Sequence, residues 1–301
     1  MYAKLRIAII AFLTVFALRT AAQSTRGNGT KNESKRSSSS PDLKQETIET
    51  RVEKYLRNLY SWGPSYEVKV GPTKPSPIPD LLEVPVTVSM AGQGDTAIVY
   101  VTKNGTFILR GELADMSIDP FADIRSKLHP GNSPFMGPEN AQITLIEFAD
   151  FECPTCRQLD RILRDFLPSH PEIRLVFKHF PLTEIHPWAM TAAIASQCTY
   201  QQNPASFWKI HDAIFDAQDV INPSNVWDKM TDLAAKLGLN MDAFQACMSN
   251  PETTHQVEQS IREGRALNIT GTPTTFVNGR RLVGADQSLL EQFIEFEKSY
   301  K

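Results

Sequence analysis

The sequence predicts an α/β protein preceded by a small α+β domain, and three observations carry that expectation. Between residues 142 and 180 two apolar, strand-like runs flank an amphipathic helix, the pattern of a β-α-β unit with a parallel strand pair. A long stretch of helical character over 187–267 follows as an insertion. Two short strand-like runs, 274–277 and 280–283, are joined by Asn278 and Gly279, a strong hairpin turn, and a last helix over 287–298 closes the chain.

From the N-terminus onward, Lys4 and Arg6 precede an apolar stretch from Ile7 to Leu18, and Ala21 and Ala22 offer small residues for cleavage. Residues 1–22 are therefore expected to be a signal peptide; the stretch is short of the ~20 residues of a comfortable membrane span, which leaves a retained anchor as the alternative. Residues 23–41 are rich in Ser, Asn and Lys and are expected to be a disordered linker. Within 42–112, Leu43, Ile48, Val52, Leu56 and Leu59 fall at near-helical spacing. Strand-like runs follow at 66–70, 82–90 and 97–102, and Asn104 and Gly105 mark a two-residue hairpin leading into 106–109. No catalytic constellation occurs there, so the small domain is expected to serve interaction, with a homodimer as one outcome. Residues 113–139 carry Pro120, Pro130, Pro134 and Pro138 and read as an interdomain linker with a short helix over 121–128, leaving 140–301 as the main domain. The net charge of −3 and pI of about 6.1 give no basis for a nucleic-acid partner or a polybasic membrane surface.

The chemistry concentrates at Cys153, Pro154, Thr155 and Cys156, directly after the first strand of the β-α-β unit. A cysteine at a helix N-terminus feels the positive end of the macrodipole and unpaired N–H groups, so its thiolate is stabilised. A second cysteine three residues on can resolve the mixed disulfide that this thiolate forms. Zinc sites use the same spacing but need two more ligands, and the sequence offers neither a second Cys-x-x-Cys nor a His-x-His cluster, so no metal is expected. In an exported protein the remaining pair, Cys198 and Cys247, is read as a structural disulfide, with two buried free thiols as the alternative. Pro273 enters a strand after Gly271 and Thr272, which a cis Thr272–Pro273 bond would accommodate, leaving backbone groups of Thr272 open to an extended substrate chain.

The strand, the Cys-Pro-Thr-Cys run, helix, strand, helical insertion, Gly-Thr-Pro and hairpin together resemble the thioredoxin fold. The insertion, Phe177, Lys178, His179, Phe180 and Pro181, then His186, Pro187, Trp188 and Ala189, and finally Phe207, Trp208, His211 and Asp212 resemble its DsbA-like branch. That resemblance implies Cys153 as the exposed nucleophile, Cys156 as the buried resolving thiol, and a cis Pro273 facing them. Glu147 stands where DsbA-like enzymes carry a buried acid beneath the cysteines. Such an acid would have a raised pKa and relay the proton of Cys156, with Lys178 on the next strand as its charge partner; the alternative is a half-exposed strand with Glu147 on the wet face.

Pro154 and Thr155 tune the redox poise. Strongly oxidising DsbA enzymes have histidine where Thr155 stands, so the Cys153 thiolate is expected to be less stabilised than theirs. Thr272 matches the residue that DsbC-type isomerases carry before their proline, and residues 98–111 loosely resemble the end of their dimerisation domain. Asp150 and Glu152 flank the nucleophile and are expected to be solvated. His179 and His186 read as structural residues that could also line the active face, and Trp188, Phe207 and Trp208 as core. The expected function is an exported, periplasmic or otherwise extracytoplasmic, thiol–disulfide oxidoreductase of the DsbA-like dithiol oxidase kind, with a DsbC-type isomerase or reductase as the alternative and a metal-binding or redox-inert chaperone module as the less favoured one. It would need no cofactor. Its partners would be exported proteins with thiols or disulfides and a membrane or extracytoplasmic redox partner.

Overall fold

The structure is a computed structural model and describes residues 46–299; the signal-peptide and linker assignments at 1–41 lie outside the described residues. The chain divides into two compact units between Asp115 and Met116.

In the first unit, helix α1 (Ile48–Tyr60) starts where the Thr47 hydroxyl caps the Thr50 N–H, and it ends at Ser61 in the left-handed conformation. Strands β1 (Glu67–Val70), β2 (Lys74–Pro75), β3 (Leu81–Met90), β4 (Gln93–Thr102) and β5 (Ile108–Arg110) form one antiparallel sheet. Val52 and Leu56 of α1 pack on Val84, Val86, Val88, Val99 and Val101, one face of the alternating strands. The β3–β4 turn is made by Ala91 and Gly92, both with positive φ, a two-residue turn that the sequence reading passed over because only its second residue is a usual turn former. Asn104 and Gly105, conversely, do not form the expected two-residue hairpin. The Thr102 hydroxyl accepts from Thr106 and Phe107 N–H and the Asn104 amide oxygen from Thr106 N–H, so side chains widen the connection and β5 begins only at Ile108.

In the second unit the expected linker over 113–139 needs correction. It carries the expected short helix, α2 (Ala122–Lys127), but also strand β6 (Phe135–Met136), which pairs with β8 (Ile173–His179) and belongs to the sheet. Two-residue edge strands carry too little periodicity to be seen in sequence, and the flanking prolines masked this one. The sheet runs β10-β9-β7-β8-β6, with β7 (Ile143–Ala149) parallel to β8 and antiparallel to β9 (Thr274–Val277), itself paired with β10 (Arg280–Val283). Helices α3 (Pro154–Phe166) and α9 (Gln287–Ser299) bury Leu159, Leu163, Leu290 and Ile294 against Leu145, Leu175 and Val277 on one face. The helical insertion consists of α4 (Ala189–Gln202), α5 (Phe207–Asp216), α6 (Val226–Lys236), α7 (Met241–Met248) and α8 (Pro251–Ala266).

Of these, α8 covers the opposite face, where Val257 and Ile261 meet Ile146, Phe148 and Val176. It approaches so closely that a Cβ on Gly264 would lie 2.6 Å from the Phe180 ring, which is why a helix interior tolerates glycine there. The rest of the insertion caps the sheet end that carries the cysteines, packing Ala192, Ala195, Phe207, Ile210 and Phe215 around Phe151, Cys156 and Phe177.

Within that cap Cys198 of α4 is bonded to Cys247 of α7, 49 residues apart. Closing a loop of this length constrains the unfolded chain by up to about 4 kcal/mol. Replacing both cysteines by alanine is expected to lower the unfolding free energy by about 2–4 kcal/mol, read from urea denaturation of the oxidised protein; an unchanged midpoint would show that the bond contributes nothing.

Candidate active site

Strand β7 ends at Ala149, and the chain turns through Asp150, Phe151 and Glu152 before Cys153 takes the N-cap position of α3. Pro154 follows at the first helical position, where its fixed φ suits the helix and its missing N–H costs nothing. Two polar side chains hold this turn. The Asp150 carboxylate accepts from the N–H groups of Glu152 (2.8 Å) and Leu182 (2.7 Å) and lies 2.7 Å from His186 Nδ1. Gln218, from the insertion, donates to the carbonyls of Phe151 (2.8 Å) and Cys153 (3.1 Å). Asp150 is thus buried, not solvated as expected, because backbone donors and a histidine compensate its charge. Glu152, partly buried, accepts from Trp188 N–H at 2.6 Å, and burial raises its pKa.

The two thiols sit in opposite environments. Cys153 retains 7% exposure and Cys156 none. The hydrogen bond from the Cys156 thiol, against the opposing effect of burial, brings the Cys153 pKa down to about 5; the N–H of Cys156, the Thr272 side chain and the N–H of Thr155 act in the same direction. Thr155 therefore helps through its backbone, at a helix N-terminus, and its exposed side chain supplies no charge. Burial, then the Cys153 sulfur beside it, pushes Cys156 well above the ordinary thiol value, although Asp150 N–H donates to its Sγ at 3.4 Å. Across from them the Thr272–Pro273 bond is cis, and Cys153 Sγ lies 3.4 Å from the Thr272 carbonyl oxygen.

Glu147 is 1% exposed, between Phe177 of β8 and Thr275 of β9 on the face covered by α3. Burial, with a smaller contribution from the charge of Asp160, raises its pKa to about 8. The wet-face alternative is thereby excluded. The expected pairing with Lys178 is not formed. In the parallel register Lys178 stands beside Phe148, one residue on from Glu147, so its side chain leaves the opposite face and meets Glu263 of α8 at 2.9 Å. Arg164, ion-paired with Asp160 (2.5 Å) and Asp212 (3.5 Å), lines the same cavity as Glu147.

His186 supports Asp150, whereas His179 is buried and burial lowers its pKa to about 3, so it is neutral. Gln218 and Asp160 escaped the sequence reading. A lone glutamine 65 residues from the cysteine whose carbonyl it holds has no local signal. Asp160 could have been found, since it lies one helical turn after Cys156 on the same buried stripe. Asp160, His211 and Asp212 are the group among the described residues whose ligand atoms, within 4.8 Å of one another, could hold a cation. Arg164 already supplies one there, and neither cysteine of the Cys-x-x-Cys pair takes part.

A βαβ–ββα core, a helix-capping thiol beside a cis-proline and a second, fully buried cysteine define a thioredoxin fold, here with a helical insertion. The chain belongs to the thioredoxin family, whose model matches residues 130–295. Among curated relatives, an Na(+)/H(+) antiporter NhaA 3 of Salinispora tropica is 33% identical over 159 residues, covering 53% of this chain and 24% of the relative. An Na(+)/H(+) antiporter NhaA of Herminiimonas arsenicoxydans is 34% identical over 170 residues, covering 54% of this chain and 26% of the relative. The chain thus spans only about a quarter of these relatives. Solved structures share the fold: the thiol-disulfide exchange protein alpha-DsbA2 of Wolbachia pipientis has a TM-score of 0.50 at 18% identity, covering 60% of this chain and 98% of that one. The catalytic domain of Proteus mirabilis ScsC has a TM-score of 0.50 at 20% identity, covering 59% and 96%. Among the described residues no helix is long and apolar enough to cross a membrane.

A Cys153 pKa of about 5 against an unfolded value near 9 means that the thiolate favours the folded reduced protein. That contribution is fully present above about pH 9, shrinks as pH falls, and is gone below about pH 5. Ultraviolet thiolate absorbance should accordingly titrate with a midpoint near 5 in the wild type and move upward in Cys156→Ala, which removes the largest stabilising contact. A midpoint unchanged by that substitution would contradict the assignment.

Proposed function

We propose that this chain is an extracytoplasmic protein thiol–disulfide oxidoreductase acting through Cys153 and Cys156, most specifically a DsbA-like dithiol oxidase. The observation that carries this reading is the asymmetry of the pair: a sulfur at 7% exposure whose pKa is lowered to about 5, and a fully buried one that burial keeps as thiol. A sulfur that is stable as thiolate is a good leaving group, so the Cys153–Cys156 disulfide gives itself up readily. A substrate thiolate attacks Cys153 Sγ, the Cys153–Cys156 bond breaks, and the departing Cys156 thiolate takes a proton from Glu147. A second substrate thiolate then attacks the substrate sulfur of the mixed disulfide and expels Cys153 thiolate. The substrate is oxidised by two electrons and the pair is reduced by two; no organic cofactor or metal enters the step.

Exported substrate proteins would lie along the Thr272–Pro273 loop, and an extracytoplasmic or membrane redox partner would reoxidise the pair. The N-terminal sequence and the disulfide between Cys198 and Cys247, in a location that tolerates disulfides, support export. A homodimer through residues 42–112 is the corresponding proposal for the first unit, where Ile98 and Leu109 stand exposed on the sheet face opposite α1. Threonine before the cis-proline keeps the isomerase reading as the second one. Refolding of reduced and of scrambled ribonuclease separates them. The oxidase reading expects oxidised protein to restore activity to the reduced substrate, Cys153→Ala to abolish this, and the scrambled substrate to gain little. Preferential rescue of scrambled substrate would transfer the assignment to the isomerase.

A further inference from the structure

When the Cys153–Cys156 bond opens, its electron pair stays on Cys156 Sγ, a fully buried atom among Phe151, Phe177, Ala192 and Ala195. Negative charge on sulfur is costly there until a proton arrives. Among the described residues, the N–H that meets Cys156 Sγ is that of Asp150, at 3.4 Å, and it acts against the burial that holds the proton on this thiol. We propose that the Asp150 carboxylate and the His186 imidazole are positioning residues that aim this N–H at Cys156. His186, outside both the Cys-x-x-Cys run and the cis-proline loop, thereby sets how fast Cys156 leaves and returns. The proposal rests on the reading of Cys153 and Cys156 as a disulfide-exchange pair.

The peptide groups of Asp150 serve both cysteines. Its N–H donates to Cys156 Sγ, and its carbonyl accepts from Cys153 N–H at 3.1 Å. The residue stands just past Ala149, where the ladder between β7 and β8 ends, so the sheet does not fix it. Its side chain supplies the constraint instead. Oδ1 accepts from Glu152 N–H at 2.8 Å, and Oδ2 accepts from Leu182 N–H at 2.7 Å and lies 2.7 Å from His186 Nδ1. The carboxylate is fully buried, whereas His186 keeps 16% exposure. A buried carboxylate with three charge-assisted donors has little freedom to turn.

Of these donors, Glu152 N–H lies within the turn itself and cannot anchor it to anything else. Leu182 and His186 can, because they belong to the segment between β8 and α4. That segment is fastened to the turn at both ends: Phe180 N–H donates to the Ala149 carbonyl at 2.8 Å, and Trp188 N–H to the Glu152 carboxylate at 2.6 Å. It also closes on itself, with Ile185 and His186 N–H both donating to the Leu182 carbonyl, at 3.0 and 2.9 Å. Leu182 and His186 therefore reach Asp150 from one compact turn. With its proton on Nδ1, the ring donates to Asp150 both as neutral imidazole and as imidazolium, so the clamp needs an N–H at that position and not a charge.

The same N–H serves both directions of exchange. In the oxidising direction a substrate thiolate attacks Cys153 Sγ, and the N–H meets the electron pair released onto Cys156 before the sulfur is protonated. In the reducing direction Cys156 gives up its proton and its thiolate, held by this N–H, attacks Cys153 Sγ; the bond from Cys153 to the substrate sulfur breaks and the substrate leaves as thiolate. The donor is worth most while Cys156 is charged, and Cys156 is charged in neither the disulfide nor the resting dithiol. Loosening it should therefore slow both directions alike and leave the equilibrium between them nearly unchanged.

The test is quenched-flow exchange of the full chain with glutathione at neutral pH, read by mass spectrometry, in wild type, His186→Ala and His186→Asn, with fold checked by circular dichroism. Removing one donor from such a site costs about 10²–10³ in rate, so an N–H that is loosened but kept should cost about tenfold. His186→Ala is expected to slow by that factor both the opening of the Cys153–Cys156 bond and the resolution of the Cys153–glutathione mixed disulfide by Cys156. The glutathione equilibrium constant should change by less than about threefold, or about 15 mV for this two-electron couple. His186→Asn, whose amide reaches the Nδ1 position, should restore both rates. In a Cys156→Ala background, release of glutathione from Cys153 by an external thiol should not respond to His186→Ala.

Wild-type rates in His186→Ala, slowing that His186→Asn does not rescue, slowing matched by an equal change in the equilibrium constant, or slowing that persists without Cys156 would each overturn the proposal. A wild-type chain that exchanges no disulfide with glutathione would defeat the reading of the pair itself. Should His186→Ala not fold, His186→Gln decides, because its amide takes the place of Nε2 and leaves the Nδ1 position empty: slowed exchange at an unchanged equilibrium upholds the clamp, and wild-type rates overturn it.

Discussion

The hydrogen bond between the two thiols is the interaction on which the rest of the site depends. It lowers the Cys153 pKa more than any other contact, and in the same act it holds the proton on Cys156. Helix geometry alone would place both sulfurs near the positive end of α3 and favour both thiolates. Burial breaks that symmetry. Cys156 is sunk among Phe151, Phe177, Ala192 and Ala195, where a thiolate is costly, and only Cys153 can carry the charge.

That burial is supplied largely by the helical insertion. Its helices cap the sheet end where β7 runs out, and Gln218 reaches back from the insertion to the carbonyls of Phe151 and Cys153. Asp150 performs the matching task from below, tied to Leu182 N–H and His186. The turn that presents Cys153 is therefore fixed by groups from three separate chain segments. In the proposed reaction, a nucleophile held in this way would lose little freedom when a substrate sulfur approaches.

Much of this could be read from the chain itself, and the parts that could not share a cause. The β-α-β unit, the closing hairpin at Asn278 and Gly279 and the cysteine pair are local patterns, visible in a dozen residues each. Glu147 stood out because a carboxylate interrupts an apolar run. Its partner did not. Whether Lys178 shares a face with Glu147 depends on the register of two strands that the sequence does not align, and a single-residue offset sends the side chain to Glu263 instead. Gln218, Asp160 and the short strand at Phe135 and Met136 likewise acquire meaning only through long-range packing. The Ala91–Gly92 turn was missed for the opposite reason, since alanine at positive φ contradicts local preference and is imposed by the ladder between β3 and β4.

The central claim is that stabilisation of the Cys153 thiolate makes this disulfide an oxidant. Its reduction potential, measured by equilibration in glutathione buffers, tests the claim most directly. A Cys153 pKa of about 5 lies between the values of about 7 in thioredoxin and about 3.5 in DsbA, so the potential should fall above about −200 mV, towards the DsbA value of about −120 mV. A potential at or below about −270 mV, that of thioredoxin, would mean that the pair rests reduced, and would contradict the account.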